Sequence, residues 1–187
     1  MHIHVIQFRH APAGLSRSGA PDRGFTLIEL MTAIAVAAVL AAVSIPMYTS
    51  FVRNQRVKTA AYDLSYALTL ARGEALKRNR PVVVSPDANG WRFGWSVRTT
   101  DVSPITLFSH ATPTHLDSSN AEVSYLAITP ATGNEVTFNG SGRLSGSVSS
   151  FRIASATGSA TQAPPRCITV DLSGLPRNTA STAGVCP

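Results

Sequence analysis

From Phe25 to Phe51 the chain carries one charged side chain, Glu29, in a run that is otherwise apolar or uncharged. The run clears the roughly 20 residues that a helix needs to cross a bilayer core. Membrane association at some stage is the first conclusion. A carboxylate costs about 2.5–3.5 kcal/mol at the centre of a spanning helix and less near an end. An ionisable group inside such a segment is by default a functional one, and its partner has to be sought.

An ordinary secretory signal peptide would use this run as its apolar core and be cut after a small residue such as Ala42. The run is about twice the usual 7–15 residues of such a core, contains a glutamate and flows into a helical pattern. It therefore reads as a retained segment. Residues 1–24, with Pro12, Pro21 and no helical periodicity, read as a processing segment outside the fold.

Of the net charge of +6, Arg9, Arg17 and Arg23 against Asp22 place part in the leader. A second concentration follows the apolar run, where Arg53, Arg56, Lys58, Arg72, Lys77, Arg78 and Arg80 face only Asp63 and Glu74. The short basic leader favours insertion with the N-terminus inside and the main domain exported. Cys167 and Cys186, without a CxxC spacing or a His/Asp cluster, favour a disulfide over a metal site in such a domain.

Val57, Ala61, Leu64, Leu68, Ala71 and Ala75 recur at alternating spacings of four and three, one stripe of a helix. Pro81 disfavours a helical residue before it, so one helix is expected from Phe25 to Asn79, roughly 80 Å long at 1.5 Å per residue. Its first half (25–52) is apolar all round, its second half (53–80) amphipathic, and Pro46 is expected to kink it. From 81 to 187 the pattern changes to strands: Val82–Ser85 and Trp91–Val97 as a hairpin, then Ile105–Ser109, Val123–Ile128, Glu135–Asn139, Val148–Ala154 and Ile168–Leu172. The class is α+β, an antiparallel sheet packed on the amphipathic half of the helix.

Gly24-Phe25-Thr26-Leu27-Ile28-Glu29-Leu30, followed by apolar residues with Pro46 among them, resembles the N-terminus of type IV pilins and type II secretion pseudopilins. Ala71-Arg72-Gly73-Glu74-Ala75, Phe138-Asn139-Gly140-Ser141-Gly142-Arg143-Leu144 and the C-terminal cysteine pair are similar to the GspH/FimT group of minor pilins, FimT/FimU-like. The resemblance covers about residues 25–187.

It implies that a prepilin peptidase cuts between Gly24 and Phe25 and that the new amine of Phe25 is N-methylated. The subunit would wait in the bacterial inner membrane with a periplasmic sheet domain, then join other minor and major pilins in a pilus at the cell surface. There Glu29 would meet the N-terminal amine of a neighbour, and Pro46 would be a bending point. The helix macrodipole also favours a carboxylate at this place, by roughly 0.3–1 kcal/mol. The resemblance implies a subunit that helps initiate or cap a filament; the pseudopilin of a type II secretion system is the alternative.

A third reading, of another class, is a DNA receptor on a transformation pilus. Some members carry a glycine-arginine motif with two arginines near the C-terminus; here Gly174-Leu175-Pro176-Arg177 has leucine in the first arginine's place. Arg143, Arg152, Arg166 and Arg177 would be the candidates for double-stranded DNA, holding phosphates without sequence preference. No GxSxG, HExxH or phosphate-loop pattern is present. His110 and His115, five apart across Pro113 with Asp117 near, are a thin donor set. Neither enzyme activity, metal nor cofactor is expected.

Overall fold

The computed structural model describes residues 24–131, 133–145, 150–157, 163–181 and 186. The expected leader falls outside them up to residue 23, as does the start of the strand expected at Val148–Ala154. The chain forms two compact units, one ending at Ala41 and the other running from Ala42 to Pro187; helix α1, Leu27–Arg78, contributes to both.

In the first unit the helix begins on a reciprocal cap. The Thr26 hydroxyl accepts the Glu29 N–H at 3.3 Å, and the Glu29 carboxylate accepts the Thr26 N–H at 3.3 Å and its hydroxyl at 3.2 Å. Two N–H groups that a helix start leaves unpaired are thereby satisfied. Thr26 is the cap and not a helical residue, which is why α1 starts at Leu27 rather than Phe25. Every residue from Gly24 to Ala41 is exposed.

In the second unit the helix supplies a buried stripe. Val57, Ala61, Leu64, Leu68, Ala71 and Ala75 have no exposed surface, and Ala60 and Ala67 join them. Burying Leu64 and Leu68 contributes roughly 1.5–3 kcal/mol each, while the alanines leave room for Trp95, Phe138 and Phe151 in the same core. Glu74 binds Arg78 at 2.8 Å and Lys77 at 3.7 Å across the last turns. The helix closes on Asn79 in the left-handed region (φ 51°), with the Arg80 N–H donating to the Ala75 carbonyl and the Asn79 N–H to that of Leu76. This paired closure satisfies the last carbonyls, and Pro81 then continues as extended chain.

The described residues form ten strands, all paired antiparallel. Strands β1 (Val82–Asp87), β2 (Gly90–Thr99), β3 (Thr106–Ala111) and β7 (Val136–Phe138) make a sheet in the order β3-β2-β1-β7. Strands β6 (Leu126–Pro130), β8 (Ser150–Ser155), β9 (Arg166–Val170) and β10 (Pro176–Ala180) make a second, in the order β10-β9-β8-β6. Strands β4 (Thr114–Leu116) and β5 (Glu122–Ser124) form a small ribbon. Trp91 of β2 packs edge-on against Phe151 of β8, with centroids 4.8 Å apart. The α+β class holds, and its sheet layer is two sheets sharing one core with the helix.

Three strand expectations change. Val123–Ile128 splits at Tyr125 into β5 and β6, which belong to different sheets; the Ser124 hydroxyl accepts the Leu126 N–H at 3.1 Å across the break. Strand β9 begins two residues before the expected Ile168, and Asp171 ends it by opening a turn. Strand β10, reading Pro-Arg-Asn-Thr-Ala, has no alternation of apolar residues because it is an edge with little to bury.

Three turns share one construction. In Asp117–Ala121, Asn139–Arg143 and Asp171–Leu175, the first side chain's Oδ1 accepts the hydroxyl of the serine two residues on and the N–H four residues on. The fourth residue (Asn120, Gly142 or Gly174) is left-handed at φ 59°, 71° and 80°, as hairpin loops of this length require. The shared signal is Asp/Asn-x-Ser-Gly/Asn-x. The disulfide Cys167–Cys186, with Cα atoms 5.4 Å apart, ties the chain end to β9. Closing a loop of this size is worth about 3 kcal/mol in the chain-entropy model.

Candidate functional site

The residues singled out at the processing end lie together in the first unit. Gly24 has nothing within 4 Å of where a Cβ would sit, so packing in this chain does not demand glycine there. Phe25 is 84% exposed. Glu29 sits one helical turn on, its carboxylate drawn back over Thr26 by the capping bonds. The site is a carboxylate acceptor, oriented toward the helix start, on a helix whose apolar side chains are exposed among the described residues. Leu27, Ile28, Leu30 and Met31 are all more than half exposed. Helix α1 continues through position 46.

The C-terminal arginines are not gathered into one patch. Register pairs Arg177 with Thr169 and Arg152 with Cys167, which alternation along β9 puts on one face of the sheet. Arg166 pairs with Ile153 and, two residues from Ile168, shares that residue's face, opposite to the face of Arg152 and Arg177. Arg143 lies in the 139–143 turn, off these strands. What the fold does join there is a different set. Gly174 meets the Gly142 carbonyl so closely that a Cβ would come within 2.2 Å of it. Arg72 of the helix donates from Nε to that same carbonyl at 3.1 Å.

The histidines are stacked on rings: His110 on Trp95 at 4.5 Å and His115 on Tyr125 at 4.3 Å. His110 also lies 3.7 Å from Asp63 of the helix. Among the described residues no group of three or more His, Cys, Asp or Glu could hold a metal ion. The displaced pKa values belong to the turns and the helix end. The Ser173 hydroxyl and the Leu175 N–H hold Asp171 below the usual carboxylate range, and the Ser119 hydroxyl with the Ala121 and Ser119 N–H groups does the same for Asp117. Arg78, then Lys77, lowers Glu74.

Thr26 and Arg72 were not picked out as site residues from the sequence. The first was readable, since Thr-x-x-Glu before an apolar run is a cap signature. The second was not, because its partner is a backbone carbonyl seventy positions away.

A long apolar helix start, a glycine just before it and a carboxylate one turn in, joined to a unit with antiparallel sheets on its helix, define a pilin-like subunit. Residues 20–45 match the model of the prokaryotic N-terminal methylation motif, and residues 60–174 match that of the type II transport protein GspH. The chain belongs to the GspH family, whose members are structural minor pilins and pseudopilins of type IV pili and type II secretion systems. The crystal structure of the type IV minor pilin FimU of Pseudomonas aeruginosa superimposes with a TM-score of 0.52 at 20% identity, covering 73% of this chain and 96% of FimU. The minor pseudopilin EpsH of Vibrio cholerae gives 0.46 at 14% identity, over 67% of this chain and 97% of EpsH. A fimbrial protein of Pseudomonas aeruginosa is 38% identical over 64 residues, 34% of this chain and 41% of that protein. The chain thus spans about two-fifths of the length of the curated relatives it matches.

Proposed function

We propose that the chain is a minor subunit of a type IV pilus that helps initiate or cap its filament. It is made as a precursor, cut between Gly24 and Phe25, N-methylated on Phe25, and held in the inner membrane with its sheet domain on the periplasmic side. In the filament Glu29 pairs with the N-terminal amine of a neighbouring subunit. The observation that carries this reading is the contrast along α1: an apolar stretch left exposed among the described residues begins on one oriented carboxylate. In an apolar bundle an unpaired charge is heavily penalised, so a pair can form only where carboxylate and amine align, which sets axial register. The fimbrial relatives and the fold of a type IV minor pilin support the pilus over other machines.

The test separates pairing from capping. Glu29→Gln removes the charge, and Thr26→Ala removes the cap hydroxyl while leaving the carboxylate. Incorporation into sheared filaments is expected to fall to background for Glu29→Gln and to stay near normal for Thr26→Ala. Equal loss in both would mean that Glu29 serves only the helix start. A second reading, the pseudopilin of a type II secretion system, is favoured by the description of the matched family. Which minor subunits co-purify with the chain distinguishes the two.

A further inference from the structure

A cleft of about 250 Å³ opens beside the helix just past its apolar stretch, within the second unit. The helix contributes Tyr48, Arg53 and Arg56, and the sheet side contributes Tyr125, Ser155 and Thr157. The Arg56 guanidinium lies 3.8 Å from the centre of the Tyr125 ring, and His115 stacks on the same ring. That cation–π contact fixes the guanidinium without neutralising it. No Asp or Glu is among the described residues that line the cleft. The placed guanidinium of Arg56, with Arg53 also lining the cleft beside a partly apolar wall, suits a phosphate that carries an apolar body.

Position along the chain names the source of that phosphate. The roughly 20 residues that cross a bilayer core of about 30 Å, counted from Leu30 just after Glu29, end near Thr49. Tyr48 to Arg56 therefore occupy the headgroup layer on the far side, where tyrosines are enriched and long arginine side chains can extend to the polar groups. We propose that this cleft binds the phosphate of an anionic phospholipid while the subunit waits in the membrane, and releases it when the helix enters the filament. The proposal rests on the membrane-inserted state in the preceding section, but its test requires no filament.

The full chain, purified in a neutral detergent, is titrated with phosphatidylglycerol, phosphatidylcholine and inorganic phosphate, and bound lipid is counted by native mass spectrometry. Phosphatidylglycerol is expected to be retained in preference to phosphatidylcholine. Arg53→Gln and Arg56→Gln are each expected to weaken that binding by about fivefold, Arg56→Lys to restore part of it, and Lys77→Gln, outside the cleft, to change nothing. Unchanged tryptophan fluorescence, reporting buried Trp91 and Trp95, shows that the variants remain folded. Equal retention of the two lipids, or an undiminished preference in the double arginine variant, would overturn the proposal. So would inorganic phosphate binding as tightly as phosphatidylglycerol, which would make the ligand a free anion.

Discussion

The two stretches of α1 use similar residue types to opposite ends. From Leu27 to Ala41 the apolar side chains point into open surroundings all round the helix. From Val57 to Ala75 they are confined to one stripe, and that stripe has no exposed surface. The second stretch has its partners in the same chain and carries stability. The first has none among the described residues, which is where we place the function: apolar surface left open for a bilayer or other subunits, with one charge within it.

The largest effect that probes this contrast comes from matched truncations. Leu64→Ala is expected to destabilise the second unit by about 2–5 kcal/mol, whereas Ile34→Ala, 60% exposed in the first, should leave its unfolding midpoint unchanged. Denaturation of the full chain in mild detergent, followed by tryptophan fluorescence, reads both. A comparable cost for Ile34→Ala would mean that the apolar stretch is braced from within the chain. Next in size is a pair of glycines. Gly174→Ala faces a left-handed backbone and the Gly142 carbonyl and should cost about 1–3 kcal/mol. Gly73→Ala, in open helix, should gain up to about 1 kcal/mol. The opposite signs would show which part of the GspH-like pattern is packing and which is tolerance.

The smallest effect is one of pH. The folded-state pKa values of Asp117 and Asp171 are depressed below the ordinary 3.8. What these carboxylates contribute is therefore fully present above that value and lost as the pH falls through the lower, folded one. Amide-exchange protection of Ala121 and Leu175, whose N–H groups bond those carboxylates, should drop below about pH 3.8. Arg143, bonded in the same way to the non-titrating Asn139, should keep its protection.

Much of this was legible in the sequence because period and punctuation state it directly. The 57–75 stripe and the stop before Pro81 are local patterns, and local physics decides them. The turn signal Asp/Asn-x-Ser-Gly/Asn-x was equally local and went unread in all three copies. Strand β10 and the split at Tyr125 were not legible, since register with distant strands decides them and Pro-Arg-Asn-Thr-Ala shows no apolar face. The arginines teach the same lesson: Arg143, Arg152, Arg166 and Arg177 were expected to hold phosphates together, while strand alternation sends Arg152 and Arg166 to opposite faces.

We infer that Glu29 finds its charge partner on another subunit. Zero-length carbodiimide coupling of assembled filaments, followed by peptide mass spectrometry, reads this pairing. An amide joining Glu29 to the N-terminal amine of a neighbouring subunit is expected, recognisable in filaments grown with isotope-labelled and unlabelled chains. A filament in which Glu29 stays uncoupled, or couples only to the Phe25 amine of its own chain, would contradict it.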